Sequence, residues 1–553
     1  TLNNHYSPKK VNDSYSNEVF NHYIKRLDPS KRFFTQDDII SLSIYKYSID
    51  DNIERNQFKF FNKVQNLYSK RLKYIKKNAP FYFKEPIDFS IEEFLESDSD
   101  KRNYVRSLDE LKDLWRKSIK HQILSQYITL KESVVSDNTL ITATFNAELE
   151  KKAREKVRTE FDSALSRLSE ESREDHQNYY FDALINVFDT HTNYFPPEKK
   201  ANFDINISGK LEGIGAVLRE EDGFIKVVRI VPGSASWKQG DLKAEDIILK
   251  VAQGDKESVD IVGARVREAV KLIRGKKGSE VRLTVKHVTG ELQEIPIIRD
   301  IVTIEETYTK HAVIEDSRYD KRFGYIYIPK FYRDFKNSRG KNTTDDVRNA
   351  LTELRLQHVD GILLDLRNNE GGALIDAVNT AGLFIKDGPI VQVKGLSPVQ
   401  SVLKDRDRSI LFDGPLVILI NNYSASASEI LAAALQDFRR AVIVGSNSFG
   451  KGTVQTFIDL DRINPTKTAF FNPLGSLKLT IQKFYRINGG STQNKGVVPD
   501  IILPDAYTHL EVGERHLDYA LPFDTITPTS FIPWSHKPLN IDHLSTLTQT
   551  RLA

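Results

Sequence analysis

The sequence predicts a multidomain α+β protein: a helical first segment, a small β-rich module and a layered α/β core. Three observations predict it. Amphipathic periodicity runs through residues 1–200. Short β-like runs surround a single helix in 201–300. Apolar strands then alternate with helices across 301–505, the βαβα order of a layered core. Residues 506–553 form a proline-containing tail with little periodicity, read as a wrap-around segment or the start of a truncated helical C-terminal segment. A chain of 553 residues is long enough for several domains.

In the first segment, EVFNHYIKRLD (18–28) sets Val19, Phe20, Tyr23, Ile24 and Leu27 on one helical face. DTHTNYFPPE (189–198) breaks the pattern with polar residues and two prolines and marks a boundary. The second segment carries strand-like GIGAVLRE (213–220), GFIKVVRIV (223–231), DIILKVA (246–252) and SEVRLTVKHV (279–288), with one helix at 262–275. In the third, strands are expected at 322–332, 361–367, 416–421 and 440–444, and helices at 344–357, 373–385 and 430–435.

Composition excludes several function classes. Net charge is +3, from 79 basic and 76 acidic residues, so no global field favours nucleic acid or a membrane surface. No apolar run approaches the roughly 18 residues needed to span a bilayer. There is no cysteine, hence no disulfide, thiolate metal site or cysteine nucleophile. Methionine is also absent, even at position 1, and no signal peptide opens the chain. The expectation is that a leading segment was removed or that sulfur residues were replaced. The 12 histidines form no H-x-x-x-H or H-E-x-x-H pair, and no G-x-S-x-G elbow is present, so neither a metal site nor a Ser/His/Asp triad can be assembled. His191 reads as a structural hydrogen-bonding residue.

The stretch Gly414–Gln455 concentrates the candidate chemistry. A buried strand leads into SASASE and an Ala-rich helix, then a second strand and the loop SNSFGKG. Ser426 is followed at three residues by Glu429, which makes it a helix cap in a capping box. The alanines beside it would equally let a substrate backbone approach, and a helix N-terminus favours a developing oxyanion. Lys451 lies between Gly450 and Gly452 and becomes a general base if burial lowers its pKa. The loop nearly matches a phosphate-binding G-x-x-x-x-G-K-[ST], but Gly452 replaces the hydroxyl residue and a β-like run follows. Asp365 and the NNEGG turn (368–372) can offer bare backbone N–H groups; read alone, they make an ordinary strand-to-helix turn.

Gly213-Ile214-Gly215-Ala216, with PGSAS and GDLKAEDIIL behind it, resembles a PDZ domain of the kind found inside bacterial proteases. That loop would receive a peptide C-terminal carboxylate, with the peptide added as a strand. SASASEILAAALQD, FGKGTVQ, DTHTNYFPP, DLRNNEGGALIDAV and LTIQKFYRINGGSTQNKGVVPDI together resemble the C-terminal processing peptidases, or tail-specific proteases, most closely their large periplasmic branch. The resemblance implies an α/β core of the ClpP/crotonase type and a Ser/Lys serine endoprotease. Ser426 would be the nucleophile, Lys451 the base and Gln455 its support. The backbone N–H groups of Ala427 and Gly372 would be the oxyanion donors, and Asp437 a supporting residue. It further implies substrates with exposed apolar C-termini, an adaptor lipoprotein as a possible partner, a periplasmic location, and no metal or cofactor. Large relatives continue into a long helical region after the core, so functions of that region are open here. A non-catalytic peptide-binding protein on the same fold is the alternative.

Overall fold

The computed structural model describes residues 2–134, 145–397, 399–463, 473–507, 509–536 and 540–552. Thr1 and Ala553, the outer limits of the first and last predicted segments, lie outside the described residues. The chain forms two compact units, Thr1–Pro196 with Gln455–Thr480, and Pro197–Val454 with Ile481–Ala553.

The first unit is mainly helical. Its long helices are Asp13–Leu27, Lys59–Asn78, Leu108–Val134, Ala147–Glu170 and Arg173–Asn186. The Asn12 side chain caps the first of these by accepting from the Tyr15 N–H. The five residues expected on its apolar face are all buried. Phe60, Phe61, Val64, Tyr68, Leu72 and Ile75 repeat that three-four spacing on Lys59–Asn78. Tyr23, Phe60 and Tyr180 meet edge to face, with ring centroids 5.0–6.2 Å apart. Full burial of each such ring stabilises the unit by about 1.5–3 kcal/mol. The polar break at 189–198 contains a short strand, Asn193–Phe195, which pairs antiparallel with residues 476–478.

The second unit begins with the β-rich module. Strands 216–221, 224–230, 247–253, 280–286 and 292–298 lie in that order in one antiparallel sheet. Lys210–Gly213 pairs separately with Asp300–Thr303. Val266–Ile273 supplies the helix, shorter than the predicted 262–275, and a second one-turn helix, Ala235–Gln239, occupies the PGSAS turn. Ile225, Val227, Ile248, Val251, Leu283 and Ile295 form its interior.

The α/β core follows. Strands β1 (Lys310–Asp316), β2 (Lys321–Tyr327), β3 (Gly361–Asp365), β4 (Leu416–Ile420), β5 (Val442–Gly445) and β6 (Ile501–Ile502) lie side by side in chain order. β1 is antiparallel to β2; every later neighbour is parallel. Their registers bring Tyr327, Asp365, Leu419 and Val444 to one end of the sheet, the carboxyl end where parallel sheets place their sites. Helices α1 (Thr343–Leu356), α2 (Leu374–Gly382) and α3 (Ala427–Asp437) connect the strands. Residues 427–435 of α3 are all buried, which its alanines permit on every side. β1 and the hairpin Gly388–Gly395/Gln400–Asp405 were not expected. The first is an edge strand of charged and exposed residues, so it lacks an apolar run. The tail follows the core by backbone bonds such as Thr529 N–H to Ile487 O and Trp534 N–H to Phe438 O, and ends in a helix, Ile541–Leu552.

Candidate active site

The turn between β4 and α3 is built around Ser426. Of residues 424–430 it alone is not buried, which separates it from Ser424 and Ser428. Its backbone sits at φ 55°, ψ −111°, a conformation that costs a non-glycine residue about 1–3 kcal/mol. Surrounding bonds hold it there. Ala425 N–H and Ser428 Oγ both donate to Asn369 O, at 3.0 and 2.9 Å. Ser424 Oγ donates to Leu366 O at 2.8 Å. Ser426 N–H donates to Glu429 Oε2 at 2.8 Å. Ser424 and Ser428 thus anchor the turn to the NNEGG segment while Ser426 faces outward.

That segment packs directly on the serine turn. Asn369 braces it, with Oδ1 accepting from Gly371 N–H and Nδ2 donating to Ile328 O. Gly371 has φ +101°, and a Cβ there would lie 2.8 Å from Ser426 Cβ and 3.0 Å from Ala427 N, so only glycine fits. Phe331 pairs around Gly372, receiving Ala373 N–H and donating to Gly371 O. The Gly372 N–H itself has no partner among the described residues. Ala427 N–H, at the first position of α3, has none within its helix. Among the described residues, then, neither N–H has a backbone partner, and the neighbouring Gly371 packs against Ser426. Read alone, NNEGG was an ordinary turn; the tertiary fold brings the serine to it.

The loop carrying Lys451 reaches the same place through Glu429. This fully enclosed carboxyl group accepts four hydrogen bonds. Ser448 Oγ (2.6 Å) and Gly450 N–H (2.8 Å) bind Oε1. Ser426 N–H (2.8 Å) and Lys451 N–H (2.9 Å) bind Oε2. One oxygen thus holds the backbones of both candidate residues, no farther apart than those two bonds laid end to end. Burial pushes the Glu429 carboxyl up to about 7, against the pull of the four donors. Sequence reasoning saw Glu429 only as part of a cap; the capping-box spacing was the available signal. Phe449 N–H to Ser424 O and Gly452 N–H to Gln493 Oε1 complete the loop. A strand, Thr453–Asp459, follows, so no helix N-terminus faces the loop as phosphate binding would need.

The other expected residues lie elsewhere. Asp437 ends α3, about 16 Å of helix from Ser426. It is half-buried and accepts from Arg486 and Asn488, and partial burial raises its carboxyl above the usual range despite Arg486. It anchors the helix. Gln455 belongs to the helical unit, where its Nε2 donates to Thr480 Oγ1 at 3.1 Å. His191 gives its backbone N–H to Asp189. Asp365 accepts from the Tyr325 hydroxyl and Arg367 and borders a cavity of about 520 Å³ at the end of the sheet; Ser426 does not line it. In the β-rich module, Gly213 closes one strand and Ala216 opens the next. Between them the Ile214 and Gly215 N–H groups have no partner among the described residues. Gly215 O accepts from Val231 N–H, and a Cβ on Gly215 would strike Ser234 Cβ at 2.1 Å. The strand Ala216–Glu221 is an edge of its sheet, with Val266 of the helix packed on the same interior.

Known proteins match most of the chain. The model for Peptidase family S41 matches residues 322–503, that for the tail specific protease N-terminal domain residues 1–198, that for the PDZ domain residues 204–286, and that for the C-terminal domain of tail specific protease residues 507–553. The tail-specific protease of Haemophilus influenzae is 35% identical over 96% of this chain and 72% of its own length. The carboxy-terminal processing protease CtpA of Bacillus subtilis is 31% identical over 70% of this chain and 79% of its own. Among solved structures, the photosystem II D1 C-terminal processing protease matches 70% of this chain and 93% of its own at 24% identity, with a TM-score of 0.34. No helix among the described residues is long and apolar enough to cross a membrane. With its N-terminal, PDZ and S41 segments in this order, the chain belongs to the tail-specific proteases of peptidase family S41, which are serine-type peptidases.

Proposed function

We propose that this chain is an endoprotease with a Ser426/Lys451 dyad that selects substrates by apolar C-terminal tails. The observation that carries the reading is the shared Glu429 oxygen, which holds the backbones of Ser426 and Lys451 together. Neutral Lys451 Nζ takes the Ser426 proton, and Oγ bonds to the scissile carbonyl carbon. The oxyanion is held by the N–H groups of Ala427 and Gly372, a role supported by their having no backbone partner among the described residues. The C–N bond then breaks, and the Lys451 ammonium protonates the departing amine. Water, deprotonated by the same lysine, cleaves the acyl-enzyme ester. Gln455 orients Lys451, and Asp437 supports the serine helix. Gly213, Ile214, Gly215 and Ala216 receive the substrate carboxylate, with its chain added along Ala216–Glu221. Family membership is the support for a periplasmic location and for a lipoprotein adaptor.

The test is cleavage of an unfolded protein ending in an apolar tail, beside the same protein ending in a charged tail. The expected result is faster cleavage of the first. A chain that binds apolar tail peptides but cleaves neither protein favours the non-catalytic binding reading instead.

The close approach of Gly371 gives a second expected outcome. Gly371→Ala forces the NNEGG and serine turns apart, and a displacement of this order costs about 100-fold in turnover. Steady-state kcat measures this. Tail-peptide affinity stays at the parent value, since the PDZ module is untouched.

A further inference from the structure

The helical unit contains a buried polar chain that ends on Gln455. Asp189, His5, Thr192 and Thr480 are at most 1% exposed. Asp189 Oδ2 accepts from His5 Nε2 at 2.6 Å and from Thr192 Oγ1 at 2.5 Å. Its Oδ1 accepts from His191 N–H at 2.8 Å and from Thr480 Oγ1 at 3.0 Å. Thr480 N–H donates to Thr192 Oγ1, and Thr480 O accepts from Tyr6 N–H, so this residue is fixed from both sides. Burial alone would raise the Asp189 carboxyl, but the bonds from His5 and Thr192 outweigh it and hold the group below the usual carboxylate range.

The direction of each proton then follows. A carboxylate only accepts, so the single Thr480 hydroxyl proton is committed to Asp189. The Thr480 oxygen can therefore only accept from Gln455, and the end of the amide facing it must be Nε2. Without the carboxylate, either end of the amide could face the hydroxyl. We propose that Asp189 and Thr480 are positioning residues that fix the Gln455 amide with its carbonyl oxygen as the end turned away from Thr480. This rests on the dyad reading, in which Gln455 orients Lys451. On that reading the carbonyl is the end suited to a protonated lysine, since a carbonyl oxygen accepts from an ammonium and an NH2 group cannot.

The experiment measures kcat and KM on an unfolded protein with an apolar tail. Thr480→Val keeps the shape and removes the hydroxyl. It is expected to lower kcat about 10- to 100-fold, the worth of a charge-assisted hydrogen bond, with KM within about twofold. Thr480→Ser restores the hydroxyl and the parent rate. In the Gln455→Ala background, Thr480→Val costs nothing further, whereas a merely structural role would cost the same again. Gln455→Glu tests the point without touching the buried chain. It keeps an acceptor but cannot donate to Thr480, and is expected to lose as much kcat as Gln455→Ala. Parent kcat in Thr480→Val or Gln455→Glu, or multiplied losses in the double variant, overturns the proposal. A Ser426→Ala chain that cleaves as fast as the parent overturns the dyad reading instead.

Discussion

Ser426→Ala is expected to abolish turnover, with kcat falling about 10³- to 10⁶-fold while affinity for an apolar tail peptide is unchanged. The loss is large because the serine is strained into its outward position and no neighbour can replace it. Ser424 and Ser428 are buried, and their hydroxyls are spent on Leu366 O and Asn369 O. Lys451→Ala is expected to lose as much, because an unassisted serine hydroxyl is a poor nucleophile. The double variant should be no slower than either single one, as for residues that act as a unit. Lys451→Arg should be equally inactive, since a guanidinium does not give up its proton near neutral pH. The measurements are single-turnover cleavage and titration of a fluorescent tail peptide. Cleavage by Ser426→Ala at the parent rate would remove the serine from the chemistry.

How much of this was legible in the residues depended on range. β3 and β4 were readable because GILLD and LVILI are apolar runs, and the helices because their buried positions recur at three and four. The edge strand β1 was missed because KHAVIED alternates charge with small or exposed apolar groups, and a paired edge needs no apolar face. At the site, the local signal stopped at a tie. Ser426 followed by Glu429 describes a cap and a nucleophile equally well; in the structure the backbone N–H bonds to Glu429 while the residue stays partly exposed, so the two roles do not compete. What singles Ser426 out of the three alternating serines is burial, which hides the other two, and the NNEGG turn packed on it comes more than 50 residues earlier in the chain. Thr480 and Asp189 are 291 positions apart, and no spacing rule connects them. Gln455 and Asp437 were named only through the family resemblance, since no residue pattern points to either.

Glu429→Gln is expected to lower kcat about 100-fold while leaving the chain folded. The reason is a count of protons. Four donors converge on the Glu429 carboxylate, and it can accept them all because it carries no hydrogen of its own. Glutamine is the same size, but its NH2 must face one donor pair, either Ser426 and Lys451 or Ser448 and Gly450. In either case the lysine loop shifts against the serine turn, and small displacements of reacting groups cost this much. The protonated carboxyl meets the same conflict, with one oxygen bearing a proton. With the carboxyl raised to about 7, activity is therefore expected to rise as pH increases through 7. Stability runs the other way. The folded chain keeps this proton between about pH 4.5 and 7, where the unfolded chain has released it, so the contribution is full below 4.5 and is lost as pH rises through 7. Glu429→Gln has no proton to lose, so its unfolding midpoint should change less between pH 5 and 8 than the parent's. Thermal unfolding and kcat at those two pH values measure both effects. Parent-like kcat for Glu429→Gln at pH 8 would mean that the shared oxygen does not set the dyad, and the alignment of Ser426 with Lys451 would then have to come from the Asn369 and Phe449 contacts alone.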